Sequence, residues 1–156
     1  MAERQLGIVV TGDTATVVEA MVPADVAQPI EIVADTSWKL QAGDRPTAYD
    51  VIFRRCVNYV QENEVCRIVV KASAATRNPA SIAHLESAEL RGVVIAAAAS
   101  VAPVKTVPKS HISRNYGDRK VDEYLQDDAF WASHTVGGKL RKTSREAAMM
   151  IIAARG

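Results

Sequence analysis

Four cations fall within seven residues near the C-terminus: Lys139, Arg141, Lys142 and Arg145 follow Gly137-Gly138 and lead into an alanine-rich apolar segment. A glycine pair that opens a basic loop at a helix start suits phosphate binding. The side chains supply charge, and the first helical turn supplies free backbone N–H groups. The same run also reads as a solvated charge cluster. Lys71 follows Ile68-Val69-Val70 and should emerge at the end of an apolar strand, where open α/β sheets place ligands. There it either holds a phosphate or pairs internally with Glu86 or Glu146. Carboxylates offer a second chemistry. Glu86 and Glu89 share a helix face one turn apart. With Glu146, and with Asp13 from a Gly-Asp turn, they could build a magnesium site. The blander reading makes Asp13 a turn residue and the glutamates solvated, with Glu89 pairing to Arg91 or Arg77. Ser110-His111 and Ser113-Arg114 have no partnered acid or oxyanion-hole motif, so loop hydrogen bonding is the better reading. Phe130-Trp131 with His134 either stacks bases or closes a core, and the second is the commoner fate. Three scattered histidines without Cys-x-x-Cys make no zinc motif. No metal and no cofactor are expected, magnesium entering only with the relocated acidic site.

These residues need positioning elements. Leu6–Thr11, Ala15–Val22 and Ile30–Thr36 are short, valine- and isoleucine-rich, and separated by turn residues, as three strands would be. Residues 37–46 read as a loop. From Pro46-Thr47 onward, Tyr49, Ile52, Phe53, Cys56, Tyr59 and Val60 recur at three and four, predicting a helix that ends near Glu62-Asn63-Glu64. Val65–Lys71 predicts a buried central strand. A loop with Arg77, Asn78 and Pro79 leads to a second helix. Its Gly92–Ala99 half is apolar all round, which calls for burial on every side. A second copy of the chain would supply the missing cover, so a homodimer is expected. Residues 103–109 supply a fifth strand, and residues 110–138 are polar and broken, with a short helix at Arg119–Gln126. Ser144 is a candidate cap for the last helix, which runs to Arg155. The order βββαβαβα predicts a mixed sheet with helices on its faces.

A chain of 156 residues that is 48% hydrophobic suits one ordinary domain, 1–156, and is too apolar for wholesale disorder. No apolar run reaches the length of a bilayer span. The N-terminus lacks the basic and apolar regions of a signal peptide, so a cytoplasmic setting with Cys56 and Cys66 reduced and packed is expected. The net charge of +1 hides an asymmetry. Residues 1–66 carry five Lys and Arg against ten Asp and Glu, whereas residues 67–156 carry fourteen against eight. That pattern fits an anion-binding face or complementary faces of a dimer.

The element order is the RNase H-like order. Within it, Lys71 to Ser100, a central strand followed by "LESAELRGVVIAAAAS", resembles the RuvC family of Holliday-junction resolvases. In that family too an alanine-rich helix follows the fourth strand and helps make the dimer. The opening "LGIVVTGDTA" is similar to the start of a small bacterial family of unknown function that has an RNase H-like pattern and keeps a lysine after the central strand, as Lys71 does here. The resemblance implies an RNase H-like mixed five-stranded sheet with flanking helices. Resolvases hold metal with four acids, and carried over by position these fall on Val9, Lys71, Thr143 and Glu146. Glu146 alone keeps a carboxylate. Two-metal chemistry needs several hard oxygen ligands, which valine and an ammonium do not supply.

The expectation is therefore a non-catalytic, RuvC-like homodimer. It would bind DNA, RNA or a phosphorylated ligand through Lys71, Lys139, Arg141, Lys142 and Arg145. The alternatives are a metal-dependent nuclease with a relocated site built from Glu86, Glu89, Glu146 and Asp13, and a protein-binding adaptor.

Overall fold

Gly12 adopts a positive φ of 58°, which a tight two-residue hairpin requires and a residue with a Cβ resists. It turns strand β1 (Ala2–Thr11) into β2 (Thr14–Pro23), paired antiparallel from Ala2↔Pro23 to Thr11↔Thr14. Strand β3 (Ile30–Lys39) continues the meander, with Val33 bulged out between the pairs Glu19↔Ala34 and Ala20↔Ile32. β3 runs past the expected end at Thr36 because Trp38 is buried in the core and Leu40 N–H donates to the Asp13 carbonyl. Strand β4 (Arg67–Lys71) lies parallel to β1, and β5 (Val104–Val107) lies parallel to β4. The computed structural model describes residues 1–75, 78–79 and 81–155, so Arg77 lies outside the described residues.

The sheet has six strands, not five, in the order β5-β4-β1-β2-β3-β6. The additional strand β6 (Thr135–Gly137) pairs parallel with β3 from Ile30↔Thr135 to Ile32↔Gly137. Three residues with no apolar alternation carry no periodic signal. The pairing shows only in three dimensions.

Side-chain alternation gives the sheet two apolar faces. Leu6, Ile8, Val10, Val17, Ile68 and Val70 meet helices α1 (Arg45–Glu62) and α2 (Ile82–Ala99). Val9, Val18, Ala20 and Val69 meet the last helix, α6 (Arg145–Ala153). Asp44 caps α1 by accepting from the Thr47 N–H at 3.0 Å, and Ala48, Ile52, Cys56 and Val60 form the buried stripe. Ser81 caps α2, accepting from the His84 N–H at 3.2 Å. Within this single chain α2 buries one face only, through Leu90, Val94, Ala97 and Ala98, while Gly92, Ala96 and Ala99 are exposed.

The helix enclosed on every side is α6. The sheet covers it from one side, and from the other it is covered by α3 (Lys109–Asn115), α4 (Val121–Leu125) and α5 (Asp128–His134). This segment was expected to hold one short helix; its apolar anchors Ile112, Val121, Tyr124, Phe130 and Trp131 are too sparse for a periodic stripe. Met149, Met150 and Ile151 are fully buried, each contributing roughly 1.5–3 kcal/mol. The approach of α6 to β1 depends on Gly7, where a Cβ would overlap the Ala147 carbonyl oxygen. No helix among the described residues is long and apolar enough to cross a membrane.

Candidate functional site

β4 and α6 deliver opposite charges to one point at the end of the sheet. Lys71 leaves the end of β4, and Glu146 sits in the first turn of α6, where the helix dipole favours an acid. Lys71 Nζ lies 2.9 Å from Glu146 Oε1, with both side chains partly buried. Lys109, opening α3, approaches the other Glu146 oxygen at 3.9 Å and pairs with Asp122 at 2.6 Å. The Ile8↔Val70 pairing brings Val9 to the same end of the sheet, buried on the α6 face. Of the two internal partners considered for Lys71, the structure selects Glu146.

The remaining acids gather elsewhere. Arg45, at the start of α1, pairs with Glu86 at 2.6 Å and with Asp13 at 3.3 Å. It also donates to the Tyr49 hydroxyl at 2.8 Å, and that hydroxyl in turn donates to Glu89 at 3.3 Å. The Tyr49 hydrogen bond first, then Asp13 and Glu86, hold the guanidinium above its ordinary arginine value. Asp13, Glu86 and Glu89 therefore share a cluster centred on a cation, and Glu146 has a different set of partners. Among the described residues no group of three or more His, Cys, Asp and Glu is arranged to hold a metal ion.

The basic run is divided. Arg141 holds Asp35 on β3, through its Nη2 at 2.7 Å, its Nε at 3.1 Å and its backbone N–H at 2.9 Å. Ser144 donates to the same carboxylate. Burial raises the Asp35 pKa, but the hydrogen bonds from Arg141 and Ser144 outweigh it and hold the group below its ordinary value. Arg145 is buried against α4 and α5. It donates to the Leu125 carbonyl at 3.0 Å, pairs with Asp128 at 2.8 Å and lies over the Trp131 ring. Lys139 and Lys142 are exposed. The basic run, read either as a phosphate-binding loop or as a solvated cluster, is thus tied to the rest of the fold at two of its four cations.

No family model matches the chain, and no curated protein matches its sequence. Solved structures do match. RuvC of Thermus thermophilus superposes with a TM-score of 0.73 at 13% identity, covering 96% of this chain and 92% of that one. The same organism's RuvC in complex with Holliday junction substrate gives 0.65 at 12%, covering 97% and 91%. The yeast mitochondrial Holliday junction resolvase Ydc2 gives 0.62 at 11%, covering 97% and 77%. The chain has an RNase H-like, RuvC-like fold.

On that RuvC-like frame, the positions carried over from the resolvase pattern sit at one end of β1 and β4 and at the start of α6. Lys71 and Glu146 are in contact there, Val9 lies on the buried face beside them, and Thr143 lies in the 3-10 turn Lys142–Ser144 that leads into α6. Sequence reading missed Asp35, Lys109 and Arg45 as partners. An aspartate inside the strand-like run "IEIVADT" was the available signal for Asp35, because a charged residue there must find a counter-ion. Phe130 and Trp131 close the core, and the Trp131 indole donates to the Tyr124 carbonyl at 2.9 Å. Cys56 is buried as expected, but Cys66, expected to pack, is exposed just before β4.

Proposed function

We propose that this chain is a RuvC-like protein that binds nucleic acid as a homodimer and does not cleave it. The observation that carries this reading is the Lys71–Glu146 ion pair at 2.9 Å. Magnesium needs hard oxygen donors, and two ions held about 4 Å apart need several carboxylates between them. Here one carboxylate is engaged by Lys71 and approached by Lys109, and Val9 offers no oxygen. That donor set does not fit two magnesium ions. The exposed cations Lys139 and Lys142, and the excess of Lys and Arg after residue 66, support a polyanionic ligand. Ile82 and Leu85, exposed on α2 with Gly92, Ala96 and Ala99, support a second copy as the cover of that face.

The test is a four-way DNA junction incubated with the protein in magnesium, followed by both gel shift and denaturing electrophoresis. The expected result is salt-sensitive binding with an intact junction. Cleavage abolished by chelator and by Glu146→Gln would instead establish the metal-dependent alternative. An absence of binding to single-stranded, duplex and branched nucleic acid at low salt would favour the adaptor.

A further inference from the structure

Between the β1–β2 turn, the stretch after β4 and the first half of α2 lies a cleft of about 530 Å³. Its polar groups include Lys71, Ser73, His84, Ser87 and Arg91, and among the described residues no Asp or Glu lines it. Arg91 is the unusual member. Its Nη1 donates to Ser73 Oγ at 2.7 Å and its Nη2 to the Val10 carbonyl at 2.8 Å, both neutral acceptors. Its Nε is buried without a hydrogen-bond partner, and Arg91 makes no ion pair among the described residues. Burial pulls its pKa below the ordinary arginine value.

A partly buried guanidinium with no counter-ion is electrostatically costly, and an anion in the cleft would remove that cost. Lys71 cannot supply the balance, since it is a cation already paired with Glu146. The planar fork of arginine suits phosphate oxygens, and serine hydroxyls beside it add donors. Leu85 and Ala88 give the cleft an apolar wall. A few placed polar groups on a mainly apolar concavity of this size describe a small-molecule site rather than a flat charged surface.

We propose that this cleft binds a nucleotide, with Arg91, Ser73 and Ser87 receiving its phosphate and Leu85 and Ala88 flanking its organic part. This holds whether or not the protein cleaves DNA; Leu85 lies at the rim, shared by the cleft and the α2 face that a second copy would cover. The nucleotide is either free or the end of a strand, and one experiment separates the two.

Full-length protein is titrated calorimetrically with adenosine 5′-monophosphate, inorganic phosphate and adenosine. The monophosphate should bind, phosphate should bind more weakly, and adenosine should not bind. Arg91→Gln should weaken the monophosphate at least tenfold, while Arg54→Ala, at an exposed cation of α1 outside the cleft, should leave it unchanged. Because Arg91 also holds Ser73 and Val10, Ala88→Phe provides a second variant that fills the cleft without touching the guanidinium; it too should abolish binding. A 5′-phosphorylated single-stranded 12-mer that competes assigns the site to a strand end, and one that does not compete assigns it to a free nucleotide; either outcome supports the site. Failure of both phosphate and monophosphate to bind the wild type overturns the inference, as does unchanged binding by Ala88→Phe.

Discussion

Asp35 and Arg141 stand 106 residues apart in the chain and are joined by three hydrogen bonds, two from the guanidinium and one from the backbone N–H. The Asp35 side chain is only 5% exposed, so this contact fastens the segment before α6 to the middle of β3. Hydrogen bonds to a buried charged group are worth roughly 1.5–3 kcal/mol each, and removing one partner exposes the desolvation cost of the other. Asp35→Asn should therefore lose about 2–3 kcal/mol at pH 7, measured by urea unfolding. The folded pKa lies below the unfolded one, so this stabilisation is complete above about pH 4 and is lost as pH falls through the lower folded value. The gap between wild type and variant should narrow by pH 3. A gap independent of pH would mean that ionisation of Asp35 does not matter.

Lys139 and Lys142 are the cations of this segment open to a polyanion. Replacing both with alanine should reduce the slope of log affinity against log salt by up to about 2, because each neutralised phosphate contributes about 0.9. Thermal stability should barely change. Arg141→Ala should do the reverse and lower the melting temperature through Asp35. Gel shifts from 50 to 200 mM salt, compared with scanning calorimetry on the same variants, separate the two effects.

Sedimentation at micromolar concentration should show a dimer. Ile82→Asp, on the exposed face of α2 and outside the cleft, should give a folded monomer. Val94→Asp is a poor test of association, since Val94 is fully buried within one chain. It should unfold the protein by placing an unpaired carboxylate in the core. A wild type that sediments only as a monomer would remove the dimer from the proposed function.

Lys71→Met should cost about 1–2 kcal/mol, since it leaves Glu146 with only the more distant Lys109. In a double-mutant cycle, most of that loss should vanish when Glu146→Gln is already present. Val9→Asp by itself should destabilise the fold and produce no magnesium-dependent cleavage. Cleavage by that single variant would show that the remaining groups already suffice to hold metal.

Two thiols provide a further check. Burial pushes the Cys56 thiol up to about 12, while Cys66 is exposed. Ellman's reagent at pH 8 should titrate one thiol in the native protein and the second only in denaturant. Two rapid equivalents would contradict the packing of α1 against the sheet.

Much of the frame was legible because periodic burial leaves a periodic sequence. The Ile52, Cys56 and Val60 stripe and the Ile68-Val69-Val70 run led directly to α1 and β4. The short helix expected at Arg119–Gln126 is α4, but β6, α3 and α5 were not legible in the same way. All are short; β6 is held by its pairing with β3, and the few apolar residues of the two helices are anchored in the core around α6 rather than by neighbours in sequence. Lys71 could be placed at the end of its strand, but its partner depended on which helix reached that end of the sheet. The basic run misled for the same reason. Sequence shows charge, but Asp35 and Asp128, which engage two of those cations, lie on other elements.

Gly7 has a consequence for how the molecule responds to force and to ligands. Because nothing but hydrogen separates its Cα from the Ala147 carbonyl, α6 and β1 touch backbone to backbone. A contact of that kind has no rotamers to relax, so the floor beneath Lys71 and Glu146 is mechanically stiff. Any adjustment on ligand binding must be taken up at the rim, by the side chains of α2 and the hairpin tip. Gly7→Ala would insert a wedge at this seam, and the displacement of α6 that follows should move Glu146 relative to its lysine.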